Sequence, residues 1–227
     1  MSDISSETAI PKVIHYIWVG GKPLTSLAEH CLASWQKFLP DYEIKLWNEQ
    51  NSPMDHHYVQ AMYEKKKWAF VSDYIRFWVL EREGGIYLDT DMEVLKSFDE
   101  LRIKTPLGFV GSSSSGQIES SIIAAPKGAP FLKAALAFYD TDREYSIADT
   151  SPLVLERAIE AQTTNLPTVY DYSHFHPCNE GKSCSAAKLR LAYARHHWAE
   201  SWVPYARVKK ILRKIGIMPI LKKILGR

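Results

Sequence analysis

The order of apolar runs along these 227 residues predicts an α/β fold with a mostly parallel central sheet. Three observations carry the prediction. The run KVIHYIWV (12–19) is β-branched and aromatic, then broken by Gly20 and Gly21. A strand, a loop, a helix and a second strand follow one another at the start. Helical and strand patterns then alternate through residue 170.

Taken in order, 12–19 is a buried first strand, because it is rich in β-branched and aromatic residues and the paired glycines stop it. Ser26 to Phe38 has the 3.6-residue spacing of a helix, and EIKLWN (43–48) is a second strand. Trp68 to Glu83 is helical and ends on Gly84 and Gly85, which supply the positive φ of a helix stop. The short strand Ile86 to Leu88 comes next. Strands are expected near 107–111, 121–125 and 167–170, with helices at 130–139 and 152–161.

Length and composition bound the function. With 46% apolar and 24% charged residues the chain fits one sizeable domain, and no run of about 18 apolar residues suggests a membrane span. The amino terminus lacks the basic flank and apolar stretch of a secretory signal, so a cytoplasmic protein is expected. Cys31, Cys178 and Cys184 form no disulfide framework, in keeping with a reducing compartment. No G-x-x-x-x-G-K-S/T, G-x-G-x-x-G or G-x-S-x-G is present, which removes P-loop, Rossmann and nucleophile-elbow chemistry. The spacing of His174, His176, Cys178 and Cys184 fits structural zinc poorly.

The chemistry centres on GGIYLDTDME (84–93). Strand alternation would project Tyr87, Asp89 and Asp91 to one side and Ile86, Leu88 and Thr90 to the other. In open α/β sheets, ligands sit beyond the carboxyl ends of strands. Two carboxylates held together repel unless a cation lies between them, and Mg2+ or Mn2+ suits such oxygen ligands and takes phosphate oxygens as well. That combination implies a nucleotide diphosphate. Asp-Thr-Asp alone is also a common polar turn. On the preceding helix Asp73 and Arg76 stand three apart on one face, placed either to hold sugar hydroxyls and phosphate or to form a surface ion pair.

IPKVIHYIWVGG (10–21) and WAFVSDYIRFWVLEREGGIYLDTDMEVL (68–95) together resemble the DXD-containing glycosyltransferases of family 32. That group includes capsule and lipopolysaccharide sugar transferases and yeast-type mannosyltransferases, with distant similarity to the glucosylating clostridial toxins. The resemblance implies a GT-A-like fold over residues 1–206 and a metal-dependent, retaining transfer of a sugar from a nucleotide diphosphate donor, expected to be UDP-linked. It implies that Asp89 touches ribose and sugar hydroxyls, that Asp91 ligates Mn2+ or Mg2+, and that Asp73 and Arg76 contact the donor sugar. Trp18 matches an aromatic that stacks on the base. Near 114–132 the family offers an Asn, whereas this chain has Glu119 and Ser120; Glu119 is thus a candidate catalytic residue without a matching partner. ARHHWAESW (194–202) resembles the family's closing stretch, which implies His197, preferred over His196, as a further metal ligand and Ser201 and Trp202 as a lid on the diphosphate.

Residues 207–227 carry eight of the 28 Lys and Arg and none of the 26 acids. Apolar residues recur there every three or four positions, with Pro219 kinking the middle. Such a tail is expected to lie on an anionic membrane surface. It lacks the interleaved aromatics of a nucleic-acid binder, and no nucleic acid is expected as partner. A glycan or lipid-linked glycan acceptor, as in capsule or lipopolysaccharide assembly, fits that location. A toxin-like transferase acting on a protein and a non-catalytic sugar-nucleotide binder are the alternatives.

Overall fold

The computed structural model describes residues 10–141, 149–178 and 184–199. Strands β1 (Val13–Ile17), β2 (Glu43–Trp47), β3 (Gly85–Leu88), β5 (Phe109–Ser112), β6 (Ile118–Ala125) and β7 (Thr168–Tyr170) form one sheet in the order β2-β1-β3-β6-β5-β7. Within it β6 alone runs against the others, so the sheet is mostly parallel. A second sheet pairs β4 (Met92–Val94) with β8 (Ala194–His196).

Helices cover both faces. Residues of α2 (His57–Glu64), α3 (Trp68–Glu83), α5 (Pro130–Tyr139) and α6 (Ser151–Glu160) pack with Tyr87, Val110 and Ile123 in one apolar core. Residues of α1 (Ser26–Phe38) and α4 (Asp99–Lys104) pack with Ile86, Leu88, Ile122 and Phe109 in the other. Successive residues of β3 and β6 feed opposite cores, and this burial on both faces explains why these strands are apolar throughout. Two short helices, α7 (Tyr172–Phe175) and α8 (Ala186–Leu191), precede β8.

The α3–β3 turn depends on its glycines. Gly85 has φ +104°, and a Cβ there would stand 2.8 Å from the Val13 carbonyl oxygen, so any other residue would push β1 away. The turn sets the start of β3 beside β1 and thereby where β3 ends. Because β1 and β3 are parallel, Trp18 and Asp89 emerge at the same edge of the sheet. β6 begins at that edge, since Leu88 pairs with Ile122 and Glu119 lies beyond it.

Two sequence expectations change here. Asp89 and Asp91 lie in the turn between β3 and β4, closed by a 2.9 Å bond from the Met92 N–H to the Asp89 carbonyl, and not on a continuing strand. Cys178 and Cys184 are joined in a disulfide, leaving buried Cys31 as the free thiol. Among the described residues no helix is long and apolar enough to cross a membrane. Residues 207–227, the expected membrane tail, and Ser201 and Trp202 lie outside the described residues.

Candidate active site

At the sheet edge Asp89, Asp91 and His196 converge, each offering a ligand atom within 4.8 Å of the others. The turn brings the two carboxylates together. His196 arrives from far along the chain because β8 pairs antiparallel with β4, setting His196 opposite Met92. Its Nε2 lies 3.2 Å from Asp91 Oδ1. Burial alone would push the Asp91 carboxyl up, yet His196 and the Ala199 N–H, 2.7 Å from Oδ2, bring it down to about 2. For His196 burial opposes protonation, but Asp91 first and then Asp89 and Glu119 raise its pKa.

Behind the acids lies Arg76, buried in α3. Its Nη1 is 3.2 Å from Asp89 Oδ1 and donates to the Ser120 carbonyl at 2.9 Å, while Nη2 is 3.0 Å from Asp73 Oδ1. The guanidinium also lies 4.6 Å from the Tyr87 ring centroid. Burial works against its charge, but Tyr87, Asp89 and Asp73 outweigh that cost and hold it protonated. The Tyr87 hydroxyl donates to Asp89 Oδ1 at 2.6 Å, so Asp89 is aimed from two sides.

Asp73 is buried, and Ser151 occupies both its oxygens: Oγ donates to Oδ1 at 2.6 Å and the backbone N–H to Oδ2 at 3.2 Å. Burial raises its pKa, against the pull of Arg76 and Ser151. Here Asp73 ties α3 to the start of α6. The sequence reading gave it a sugar contact; this arrangement gives it partners within the protein.

His197, chosen from sequence as the metal ligand, turns away. Just past β8 it falls on the side of Arg195, the residue paired with Glu93, and its Nε2 lies 2.9 Å from Glu93 Oε2. His196 takes its place beside the acids. Glu119 lies close enough to feel His196 and Asp89; burial, opposed by His196 and aided by Asp89, pushes its carboxyl up to about 7. Trp18 is half-buried just past β1, its Nε1 donating to the Lys22 carbonyl at 2.6 Å.

Several neighbours carried no sequence signal. Trp198, at φ +53°, sets its ring 4.2 Å from that of His196 and donates Nε1–H to the Cys178 carbonyl at 3.0 Å. The buried His176 bonds Ser121 Oγ at 2.8 Å, and burial lowers its pKa to about 3, so it stays neutral. Gly111 makes room for it: a Cβ there would stand 2.8 Å from the His176 ring. The HFHP segment sets His174 and His176 only two apart, which says nothing of which strand each will face.

Two carboxylates and an imidazole fit a hard to borderline divalent cation such as Mn2+ or Mg2+. His196 Nδ1 is buried with no hydrogen-bond partner, so the ring's exposed chemistry is all at Nε2, toward Asp91. Such a cation would supply positive charge to a bound diphosphate.

Comparisons with known proteins agree with this geometry. Residues 26–107 match the family described as "Glycosyltransferase sugar-binding region containing DXD motif", a span that includes Asp73, Arg76, Asp89 and Asp91. Inositol phosphoceramide mannosyltransferase 3 of Schizosaccharomyces pombe is 26% identical over 86% of this chain, which spans 62% of that protein's length. Among solved structures, PaToxG glycosyltransferase aligns with a TM-score of 0.53 and 20% identity over 66% of this chain and 68% of its own. A glycosyltransferase involved in the glycosylation of the major capsid of PBCV-1 aligns with 0.52 and 10% identity over 90% and 99%. At these identities the structural likeness is one of fold. Fold, acidic pair and sequence similarity converge on one statement: over residues 26–107 this chain is similar to the glycosyltransferases that carry a DXD sugar-binding region, and it has a GT-A-like α/β fold.

Proposed function

We propose that the protein is a metal-dependent, retaining glycosyltransferase that moves a hexosyl group from a nucleoside diphosphate sugar, UDP-linked, to a glycan acceptor such as a capsule or lipopolysaccharide precursor at a membrane. The observation that carries this is the convergence of Asp89, Asp91 and His196 within 4.8 Å at the open edge of the sheet.

Each residue then has a role in the chemistry. Asp91 and His196, with Asp89 beside them, would hold a divalent cation, which would supply positive charge to offset that of the donor diphosphate. Arg76 and Tyr87 fix the Asp89 carboxylate, so the site's charge is set before substrate arrives; such preorganised charge stabilises a departing diphosphate. Trp18, at the same edge, offers a face for the base. Glu119, near His196 and Asp89, is a candidate for contact with the reacting sugar.

The test is hydrolysis and transfer with a panel of nucleotide sugars, with and without Mn2+. Because the fission-yeast relative is named for mannosyl transfer to a lipid, the panel pairs UDP-sugars with GDP-mannose. Turnover with one donor, dependent on Mn2+ and lost in Asp91→Ala, is expected. Turnover that survives both chelation and Asp91→Ala would remove the proposal.

A further inference from the structure

Leu191 ends α8 and Ile103 lies on α4, and both are 72% exposed, the most exposed large apolar side chains among the described residues. They belong to one surface. Tyr193, two residues past Leu191, donates its hydroxyl to Glu100 Oε2 at 2.7 Å, and Glu100 shares a helix face with Ile103. Lys96 crosses the same gap, its Nζ 3.0 Å from the Leu191 carbonyl and 5.2 Å from the Tyr193 ring centroid.

On α4 Asp99 and Glu100 balance Arg102 and Lys104, so the net positive charge of this ledge comes from Lys96, Lys188 and Arg190. Lys104 reaches Glu100 at 2.6 Å, and Lys188 and Arg190 stand exposed on α8, a helix with no buried residue. Exposed apolar side chains ringed by cations fit an anionic lipid interface: leucine and isoleucine enter between headgroups while lysine and arginine meet the phosphates. Charge also decides against this chain's own segment 207–227 as the cover, because eight further cations without an acid would be repelled. A second copy would meet the same repulsion.

We propose that α4 and α8 form a membrane-docking ledge, which seats Ile103 and Leu191 in an anionic bilayer surface. The ledge stands apart from the glycosyl-transfer proposal and from the tail. Its position has a use, because Leu191 and His196 are five residues apart, at most ~17 Å of extended chain. A docked ledge would hold the acidic cluster near the headgroups.

The experiment uses the full chain. Leu191→Cys is labelled with an environment-sensitive dye, since Cys31 is buried and Cys178 and Cys184 are bonded to each other. It is mixed with vesicles of phosphatidylcholine alone or with about one fifth phosphatidylserine. Expected are a blue shift with the anionic vesicles only and, in sedimentation, about tenfold weaker partition for unlabelled Ile103→Asp/Leu191→Asp. Both side chains are exposed, so the double variant should keep its melting temperature and its turnover of soluble donor. Full-chain binding with an unshifted dye and unchanged partition of the double variant would sink the ledge while leaving the tail as the anchor. Absence of any binding to anionic vesicles would sink it as well, and neither result touches the transferase proposal.

Discussion

Glu119→Gln should stabilise the metal-free protein, and only at high pH. Glu119 is held in β6 against Gly111 by the ladder, where burial, offset in part by His196 and reinforced by Asp89, pushes its carboxyl from 4.5 to about 7. A carboxyl that is harder to ionise folded than unfolded carries no penalty below the unfolded value. The penalty grows as pH rises from about 4.5 and is complete above about 7. At roughly 1.4 kcal/mol per tenfold change in proton affinity, the ceiling is ~3 kcal/mol, and solvent reaching the half-buried side chain cuts that to ~1–2 kcal/mol. Glutamine matches the neutral acid in shape and never ionises. Melting in chelator should therefore show a gain of ~3–6 °C at pH 8 and almost none at pH 5. Equal shifts at both pH values, or a loss at pH 8, would refute the assignment of a desolvated carboxyl facing the acids.

The other expectations concern the cluster and its support. His196→Ala should weaken Mn2+ binding, read by electron paramagnetic resonance, by about tenfold or more, while His197→Ala should change it by less than about threefold. Arg76→Met should cost ~3–5 kcal/mol in urea unfolding, because Asp73 would remain buried opposite Ser151 without its cation. The further change Asp73→Asn should recover part of that loss. The Cys178–Cys184 disulfide closes a loop of sequence separation 6, so reduction should cost ~2 kcal/mol of stability by chain-entropy arguments. It should also shift Trp198 fluorescence, since that indole is bonded to the Cys178 carbonyl.

What could be read from sequence followed from local physics. The Gly84–Gly85 stop, the apolar β3 and the acids after it form one continuous stretch, so their succession was legible, as were the four longest helices and the mostly parallel sheet, whereas the shorter α2, α4, α7 and α8 were not. Asp73 and Arg76 share a face because helical geometry requires it; that Ser151 would occupy Asp73 depended on α6 docking on α3, which no local pattern encodes. The choice between His196 and His197 turned on the register of a three-residue strand paired with β4, and a slip of one residue exchanges the faces. The reversed direction of β6 was hidden for a similar reason: an apolar strand buried on both sides reads alike in either sense. The disulfide was missed because three scattered thiols, two of them six positions apart, carry no signal of pairing.

The small β4–β8 sheet joins parts of the chain that synthesis and folding keep far apart: the Ala199 N–H closes on Asp91 across 108 positions. Such closures are entropically slow, so the third ligand should be the last to settle into place. A cation gripped at Asp91 and His196 would act as a latch on that late-arriving segment, and withdrawing it should loosen residues 194–199 before the body. Amide exchange along β8 would then serve as a gauge of metal occupancy, readable without any sugar donor present.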